Sequence, residues 1–192
     1  MTQNNAKGSL SPADAPESGS LSIRLMTCED LPLMVKWLSD PRVLKFYEGR
    51  DYRATLVEVT RHFDTPPESG GERVIHEWNG LCVGYGQLYR VLGEMYREYD
   101  YPDHGECVYA ADQFIGEPEY WDRGIGTLYL KRVCDHLRAA CHADAVILDP
   151  HKNNPRAIRC YEKAGFRILR ELPAHELFEG TWVDCFLMEK RL

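Results

Sequence analysis

The stretch Asn153-Asn154-Pro155-Arg156-Ala157-Ile158-Arg159-Cys160-Tyr161-Glu162-Lys163-Ala164-Gly165-Phe166 decides the fold. It predicts a helix over 155–163 with a proline in its first turn and a glycine just past its end. The apolar run 145–148 before it is typical of a buried central strand. The stretch therefore indicates a helix that packs beside the middle of a sheet.

A second helix is predicted over 124–140, and Gly124-Ile125-Gly126 opens it directly after a strand. Glycines at this kind of turn let the backbone approach a phosphate group closely. The free N–H groups and the dipole of the following helix supply the attraction. A tight turn without any ligand gives the same pattern, so the glycines alone leave both interpretations open.

Periodicity supplies the remaining elements of a single domain over 21–192, behind a polar tail over 1–20 that we expect to be flexible. Asn79-Gly80 predicts a tight hairpin between two of the strands. The order is β-α-α-β-β-β-α-β-α-β-β, an α/β domain with a mixed, mostly antiparallel sheet flanked by helices. Helices are predicted near 31–38 and 55–63. Strands are predicted at 21–26, 74–78, 81–89, 107–115, 166–172 and 183–189.

Composition narrows the class of protein. The net charge of -7 argues against nucleic acid as the main partner, because phosphate binding needs a basic face. The seven cysteines are odd in number and show no CxxC spacing, which predicts reduced thiols, a cytoplasmic location and no metal site. No apolar run reaches membrane-spanning length, so we expect no membrane contact.

The two helix-opening segments, 123–127 and 153–166, resemble the cofactor-binding segments of the GNAT N-acetyltransferases. This resemblance implies acetyl-CoA as cosubstrate, with Tyr161 near the thioester sulfur. The loop departs from the family pattern at Trp121, where the family carries Gln or Arg. The predicted cofactor-binding residues are Phe114, Ile115, Arg123, Gly124, Ile125, Gly126, Thr127, Asn153, Asn154 and Arg156.

A narrower resemblance rests on the runs 32–38, 84–87, 107–117, 149–150 and 172–177. These runs are similar to the aminoglycoside 6'-N-acetyltransferases, especially to the acetyltransferase half of the bifunctional acetyltransferase–phosphotransferase resistance enzymes. The resemblance covers about 23–188. It implies that Asp112 lies beside the reacting amine and that Asp149 contacts the antibiotic.

The residues themselves fit a cationic acceptor. Acids and tyrosines dominate 94–122, carboxylates bind ammonium groups, and aromatic faces cover sugar rings. A solvated acidic loop explains several of them equally well, but Asp112 lies within a mostly apolar strand and needs a partner or a role. The predicted substrate-binding residues are Tyr47, Gln87, Tyr89, Tyr109, Asp112 and Asp149.

The sequence thus predicts direct acetyl transfer in a ternary complex, with Asp112 and Tyr161 as catalytic residues. Asp112 accepts a proton from the amine, or orients it, and Tyr161 assists the departing thiolate. Backbone N–H groups near Phe114 and Ile115 are expected to hold the oxyanion. Cys160 is expected to pack rather than attack. The alternatives are another amine, such as a polyamine, siderophore precursor or protein N-terminus, or a cofactor-binding regulator. We expect a monomer or homodimer.

Overall fold

The computed structural model describes residues 19–63 and 70–192. The predicted tail over 1–20 lies outside the described residues except for its last two positions. Most of 66–71, where prolines and glycines predict a loop, also lies outside them. Within the described part of the chain, no helix combines the length and apolar content needed to cross a bilayer.

Seven strands and six α-helices follow one another in the described chain, in the order that the sequence predicts, with two short α-helices added. The strands are β1 Leu21–Leu25, β2 Glu72–Trp78, β3 Leu81–Arg90, β4 Val108–Ile115, β5 Ala145–Leu148, β6 Arg167–Phe178 and β7 Thr181–Arg191. The helices are α1 Leu31–Trp37, α2 Pro41–Leu44, α3 Leu56–Phe63, α4 Met95–Glu98, α5 Ile125–Cys141 and α6 Pro155–Ala164.

The strands form one sheet in the order β1-β2-β3-β4-β5-β7-β6. Every neighbouring pair is antiparallel except β4 and β5. This parallel ladder runs from Val108–Ala145 to Ala110–Ile147, where it ends within the described chain, although β4 continues to Ile115. The two strands therefore separate in the middle of the sheet and leave the second half of β4 facing a cleft.

Two helical layers cover the sheet. On one face, the helices before β2 pack Met34, Trp37 and Val59 against Ile75 and Tyr85. On the other face, α5 packs its apolar stripe onto the sheet, because its buried residues recur at helical spacing. The buried residues of that stripe are Ile125, Tyr129, Leu130, Val133, Cys134 and Leu137.

Local chemistry explains where α6 begins and ends. The Asn154 side chain accepts a hydrogen bond of 3.2 Å from the Ala157 N–H, which caps the first turn, and Pro155 follows at the first helical position. Gly165 ends the helix in the left-handed region at φ 99°. Gly124, at φ 78°, has the same conformation immediately before α5.

Residues 91–105 are rich in tyrosines and acids, a composition that predicts a long polar loop, but the structure packs this segment against the sheet. The segment contains α4, and Tyr96, Tyr99 and Tyr101 are buried with Val91 in a cluster beneath β4, β5 and β7. The Tyr101 hydroxyl donates a 2.6 Å hydrogen bond to buried Glu189. The sequence of this segment does not predict that the tyrosine rings are buried, because their burial depends on β6 and β7, which are distant in sequence.

Gly86 tests how tightly α5 packs on the sheet. A Cβ atom at this strand position would lie 2.2 Å from the Tyr129 hydroxyl oxygen. We expect Gly86→Ala to lower the free energy of unfolding by about 1–3 kcal/mol, the usual cost of overpacking. Chemical denaturation measures the change. Gly93→Ala is the comparison variant, because its Cβ meets no atom within 4 Å although φ is 54°. Its cost is backbone strain without a clash, whereas the cost of Gly86→Ala is the clash with Tyr129.

Candidate active site

The cleft between β4 and β5 is a cavity of about 490 Å³. Its walls come from β4, the first turns of α5 and α6, the end of β5 and the segment after α2. Cavities of this size in the middle of a sheet are common ligand sites. Among the lining residues are Phe46, Tyr47, Glu48, Tyr89, Asp112, Trp121, Asp149, His151, Cys160, Tyr161 and Glu176.

The first turn of α5 forms one wall, with Gly124, Ile125, Gly126 and Thr127 all lining the cavity. A Cβ at Gly126 would lie 3.1 Å from the Gln113 side-chain oxygen and 3.2 Å from the Cys160 sulfur. A larger residue would thus crowd the wall. The first N–H groups of a helix lack intrahelical partners, so this turn suits the pyrophosphate of coenzyme A.

Basic side chains reach the cavity from α6. Arg156, Arg159 and Lys163 all line it, and they follow one another at helical spacing. The Arg156 guanidinium lies 3.8 Å from the centroid of the Trp121 ring and 4.8 Å from that of Phe46. Trp121, which departs from the GNAT loop pattern, therefore supports a cation that α6 supplies.

Asp112 lies on β4 opposite Gln87 of β3, where the Gln87 side-chain amide donates a hydrogen bond of 2.6 Å to the carboxylate. The Tyr85 hydroxyl in turn donates to the Gln87 side-chain oxygen at 3.0 Å. Burial raises the pKa of Asp112 to about 7, with a further contribution from the negative charge of Asp149. A carboxyl with this pKa can exchange a proton with a ligand near neutral pH.

Carboxylates concentrate around Asp112. Glu48, Asp149 and Glu176 line the same cavity, and burial together with the charge of Glu176 raises the pKa of Glu48. Histidines hold two of them: His151 is 2.7 Å from Glu176, and His175 is 3.1 Å from Asp149. Such a group of mutually repelling carboxylates is relieved by a ligand that carries several positive charges.

Tyr161 and Cys160 lie next to each other on α6 at the cavity wall. Burial raises the pKa of the Tyr161 hydroxyl well above its ordinary value of 10.0, so the hydroxyl keeps its proton and can donate it in a hydrogen bond. Burial also raises the pKa of the Cys160 thiol, which accepts a hydrogen bond of 3.4 Å from Thr127. A protonated thiol is a poor nucleophile.

The structure brings most of the predicted residues together, and some it does not. The cavity is lined by Tyr47, Tyr89, Asp112, Phe114, Ile115, Gly124, Ile125, Gly126, Thr127, Asp149, Asn154, Arg156 and Tyr161. Gln87, Tyr109, Arg123 and Asn153 do not line it. Gln87 lies behind Asp112, and the Arg123 guanidinium lies over the Tyr120 ring, 5.0 Å from its centroid.

Tyr109 differs most from its predicted role in substrate binding. Successive side chains of a strand point to opposite faces of the sheet, so Tyr109 and Asp112, three positions apart on β4, face opposite ways. The Tyr109 ring packs against the core beneath α5, close to Cys141. The predicted acidic surface over 94–122 also contributes less than its composition suggests, because Asp112 and Asp122 are its acids that line the cavity.

Sequence reasoning missed Glu48, Glu176 and His151, which all line the cavity. The sequence around His151 and His175 predicts loops, which favours surface positions for both side chains. In the structure the His151 side chain is 10% exposed and His175 lies within β6. The prediction ended β6 at Leu172, whereas the strand continues through a bulge to Phe178. No local sequence pattern predicts that these residues line one cavity, because the sheet brings them together from distant segments.

The chain matches the Acetyltransferase (GNAT) domain family over residues 27–173. It is 32% identical to the aminoglycoside N(6')-acetyltransferase type 1 of Klebsiella pneumoniae, over 77% of this chain and 74% of that protein. It is 26% identical to the spermidine N(1)-acetyltransferase of Escherichia coli strain K12, over 85% and 81% of the two chains. The crystal structure of AAC(6')-Ib in complex with coenzyme A and kanamycin superposes with a TM-score of 0.72 at 26% identity, covering 90% of this chain and 95% of that one.

Proposed function

This chain belongs to the GNAT acetyltransferase family, and from that premise we propose that it transfers the acetyl group of acetyl-CoA to the 6'-amine of aminoglycoside antibiotics. The observation that carries the proposal is Asp112, which shares its cavity with Glu48, Asp149 and Glu176. Four carboxylates are more than a single ammonium group requires. They suit an acceptor with several ammonium groups, and the Klebsiella relative is named for such acceptors.

The cofactor end of the cavity has the chemistry that acetyl-CoA needs. The first turn of α5 offers N–H groups to the pyrophosphate, and Arg156, Arg159 and Lys163 add positive charge from α6. Asn154 completes this wall and caps α6 at the same time. Bound there, acetyl-CoA supplies an acetyl thioester beside β4.

Asp112 and Tyr161 take the proton-transfer roles in the proposed mechanism. Asp112, ionised, orients the 6'-ammonium group and accepts one of its protons, and the free amine that results attacks the thioester carbonyl with its lone pair. Backbone N–H groups of β4 near Phe114 and Ile115 stabilise the oxyanion, on the strand edge that β5 leaves uncovered. As the C–S bond breaks, the Tyr161 hydroxyl donates its proton to the departing thiolate, and the second proton that the nitrogen loses on becoming an amide restores this hydroxyl. The raised pKa of Tyr161 keeps the hydroxyl protonated before the step.

The rings of Tyr47 and Tyr89 line the acceptor part of the cavity beside Asp112. Tyr47 packs 4.6 Å from Phe114, and the Tyr89 hydroxyl is 2.9 Å from that of Tyr99. Both rings are thus fixed from behind before a ligand arrives. Flat, rigid aromatic surfaces beside carboxylates fit the sugar rings and ammonium groups of an aminoglycoside.

The pKa of Asp112 predicts the pH dependence of the reaction. The carboxyl must be ionised to accept a proton and its pKa is raised to about 7, so kcat/KM for the antibiotic should rise with pH through about 7. The Gln87 hydrogen bond stabilises the carboxylate and lowers that pKa. Gln87→Met should therefore move the rising limb to higher pH. A limb that stays in place in this variant contradicts the role of Gln87.

A variant at Glu48 tests whether the carboxylates of the cavity bind several ammonium groups of the acceptor at once. Glu48→Gln keeps the size of the side chain and removes its charge. A charged hydrogen bond contributes about 1.5–3 kcal/mol, so we expect KM for kanamycin to rise about tenfold or more with kcat and KM for acetyl-CoA little changed. Glu58→Gln, on α3 and outside the cavity lining, is the matched control. An unchanged KM for kanamycin would show that Glu48 does not contact the acceptor.

Spermidine is the second candidate acceptor, because a spermidine acetyltransferase is among the relatives and spermidine is also a polycation. Coenzyme A release with kanamycin and separately with spermidine, followed by a thiol reagent, distinguishes the two. We expect a kcat/KM for kanamycin that far exceeds the value for spermidine. The reverse order would replace the antibiotic by a polyamine and leave the cofactor site unchanged.

A cytoplasmic location is part of the proposal. All seven cysteines are free thiols in the structure, as a reducing compartment maintains them. The cosubstrate acetyl-CoA is an intracellular thioester. The acceptor would then be modified after it enters the cell.

A further inference from the structure

His151, Glu176 and Cys185 bring a nitrogen, an oxygen and a sulfur ligand atom within 4.8 Å of one another. Within the described ranges they are the one group of three or more such side chains that is close enough to hold a metal ion. His151 and Glu176 line the cavity, and Cys185 is buried directly behind them on β7. The group therefore forms part of the wall beside the acceptor carboxylates.

The fold assembles this group from three segments. The backbone of His151 forms an isolated antiparallel bridge with that of Cys185, which sets the two side chains next to each other. A bulge in β6 between Leu172 and Glu176 shifts the register against β7. The shift brings Glu176 to His151, where its carboxylate lies 2.7 Å from the ring nitrogen Nε2. The Phe178 ring packs edge-on against the imidazole, 4.6 Å away, and fixes its plane.

We propose that His151, Glu176 and Cys185 bind a zinc ion and that this ion inhibits acetyl transfer. Imidazole nitrogen, carboxylate oxygen and thiolate sulfur are the ligands that zinc takes in proteins, usually in a tetrahedral arrangement. Zinc enters between His151 and Glu176, replaces their hydrogen bond and displaces the thiol proton of Cys185 to solvent. The cavity that His151 and Glu176 line would supply water as the fourth ligand. The sequence predicts no metal site because these ligands lie 25 and 9 positions apart.

Inhibition follows from charge, and this part of the inference rests on the proposed function. Bound zinc consumes the negative charge of Glu176, one of the four carboxylates that attract the ammonium groups. It also places a dication in the wall that those groups must approach, which repels them. Zinc should therefore raise KM for the acceptor and leave the acetyl-CoA site accessible.

Cobalt(II) tests the binding without any substrate. Chelator-treated protein titrated with Co²⁺ should show the thiolate-to-cobalt absorption band and the visible bands of tetrahedral coordination, and Zn²⁺ should abolish both by displacement. Cys185→Ser should lose the thiolate band. Cys134→Ser, which changes a buried cysteine on α5, should keep it. A band that survives in Cys185→Ser, or no band in the wild type, overturns the site.

Inhibition is measured separately, with acetylated kanamycin detected by mass spectrometry because zinc also binds the coenzyme A thiol. Zinc should compete with kanamycin, and Cys185→Ser should need about tenfold or more zinc for the same inhibition. Glu176→Gln should lose zinc affinity as well, which covers the case that Cys185→Ser folds poorly. Equal zinc sensitivity of all three proteins refutes the inhibitory site. Metal binding with no kanamycin turnover in any protein would instead contradict the proposed acceptor.

Discussion

Asp112→Asn should lower kcat for kanamycin acetylation about 10²–10⁴-fold, the contribution of a well-placed general base. Asparagine keeps the shape of the side chain but cannot accept the ammonium proton. KM for acetyl-CoA should hardly change, because Asp112 lies on β4 and the proposed cofactor wall comes from α5 and α6. Steady-state kinetics at pH 8 measures both constants.

The same variant should not be less stable than the wild type at that pH. The pKa of Asp112 is raised above its ordinary value of 3.8, so its contribution to folding stability is present below that value and is lost as pH rises through about 7. At pH 8 the buried carboxyl is therefore ionised and destabilises the fold. Asparagine carries no charge, so Tm at pH 8 should stay equal or rise. Asp135→Asn, exposed on α5, is the control. A kcat within a factor of about two of the wild type would contradict the base role.

Tyr161→Phe should lower kcat about 10²-fold, the lower range for a missing general acid. Phenylalanine keeps the ring that packs 6.4 Å from Phe166, so the fold and the cofactor wall remain. The change removes only the hydroxyl proton that the raised pKa preserves. Single-turnover measurement of coenzyme A release isolates the step in which the thiolate departs.

Tyr96→Phe is the matched control for Tyr161. Tyr96 is also buried, and its hydroxyl donates to the Glu106 carbonyl oxygen at 3.3 Å, outside the cavity. This variant should turn over like the wild type. If Tyr161→Phe releases coenzyme A at the same rate as Tyr96→Phe, the Tyr161 hydroxyl has no part in the reaction and the ring only packs.

Local sequence patterns, such as turn residues and residues at helix ends, predicted most of the strands and helices. Asn79-Gly80 makes the tight turn between β2 and β3, with both residues at positive φ. As predicted, α6 begins at Pro155 and ends before Gly165. Local signals failed where long-range pairing decides. β6 runs beyond Leu172 because β7 extends to pair with it, and the tyrosines of 96–101 are buried because distant strands cover them.

The candidate site likewise has one part that local sequence predicts and one part that depends on the folded sheet. The proposed cofactor wall is built from two contiguous segments, 124–127 and 154–163, so a sequence motif can identify it. Glu48, Asp149 and Glu176 come from three separate segments, and their common cavity exists only in the folded sheet. Alternation along β4 decides that Asp112 faces this cavity while Tyr109 faces α5, and composition cannot make that distinction.

The central claim, acetyl transfer to the 6'-amine, is tested most directly by the structure of the product. Kanamycin incubated with the protein and acetyl-CoA should gain one acetyl group, and nuclear magnetic resonance should place it on the 6'-nitrogen. The Asp112→Asn variant should form the same product far more slowly. Acetyl at another nitrogen would contradict the placement of the acceptor beside Asp112, and unmodified kanamycin with active turnover of spermidine would contradict the antibiotic as acceptor.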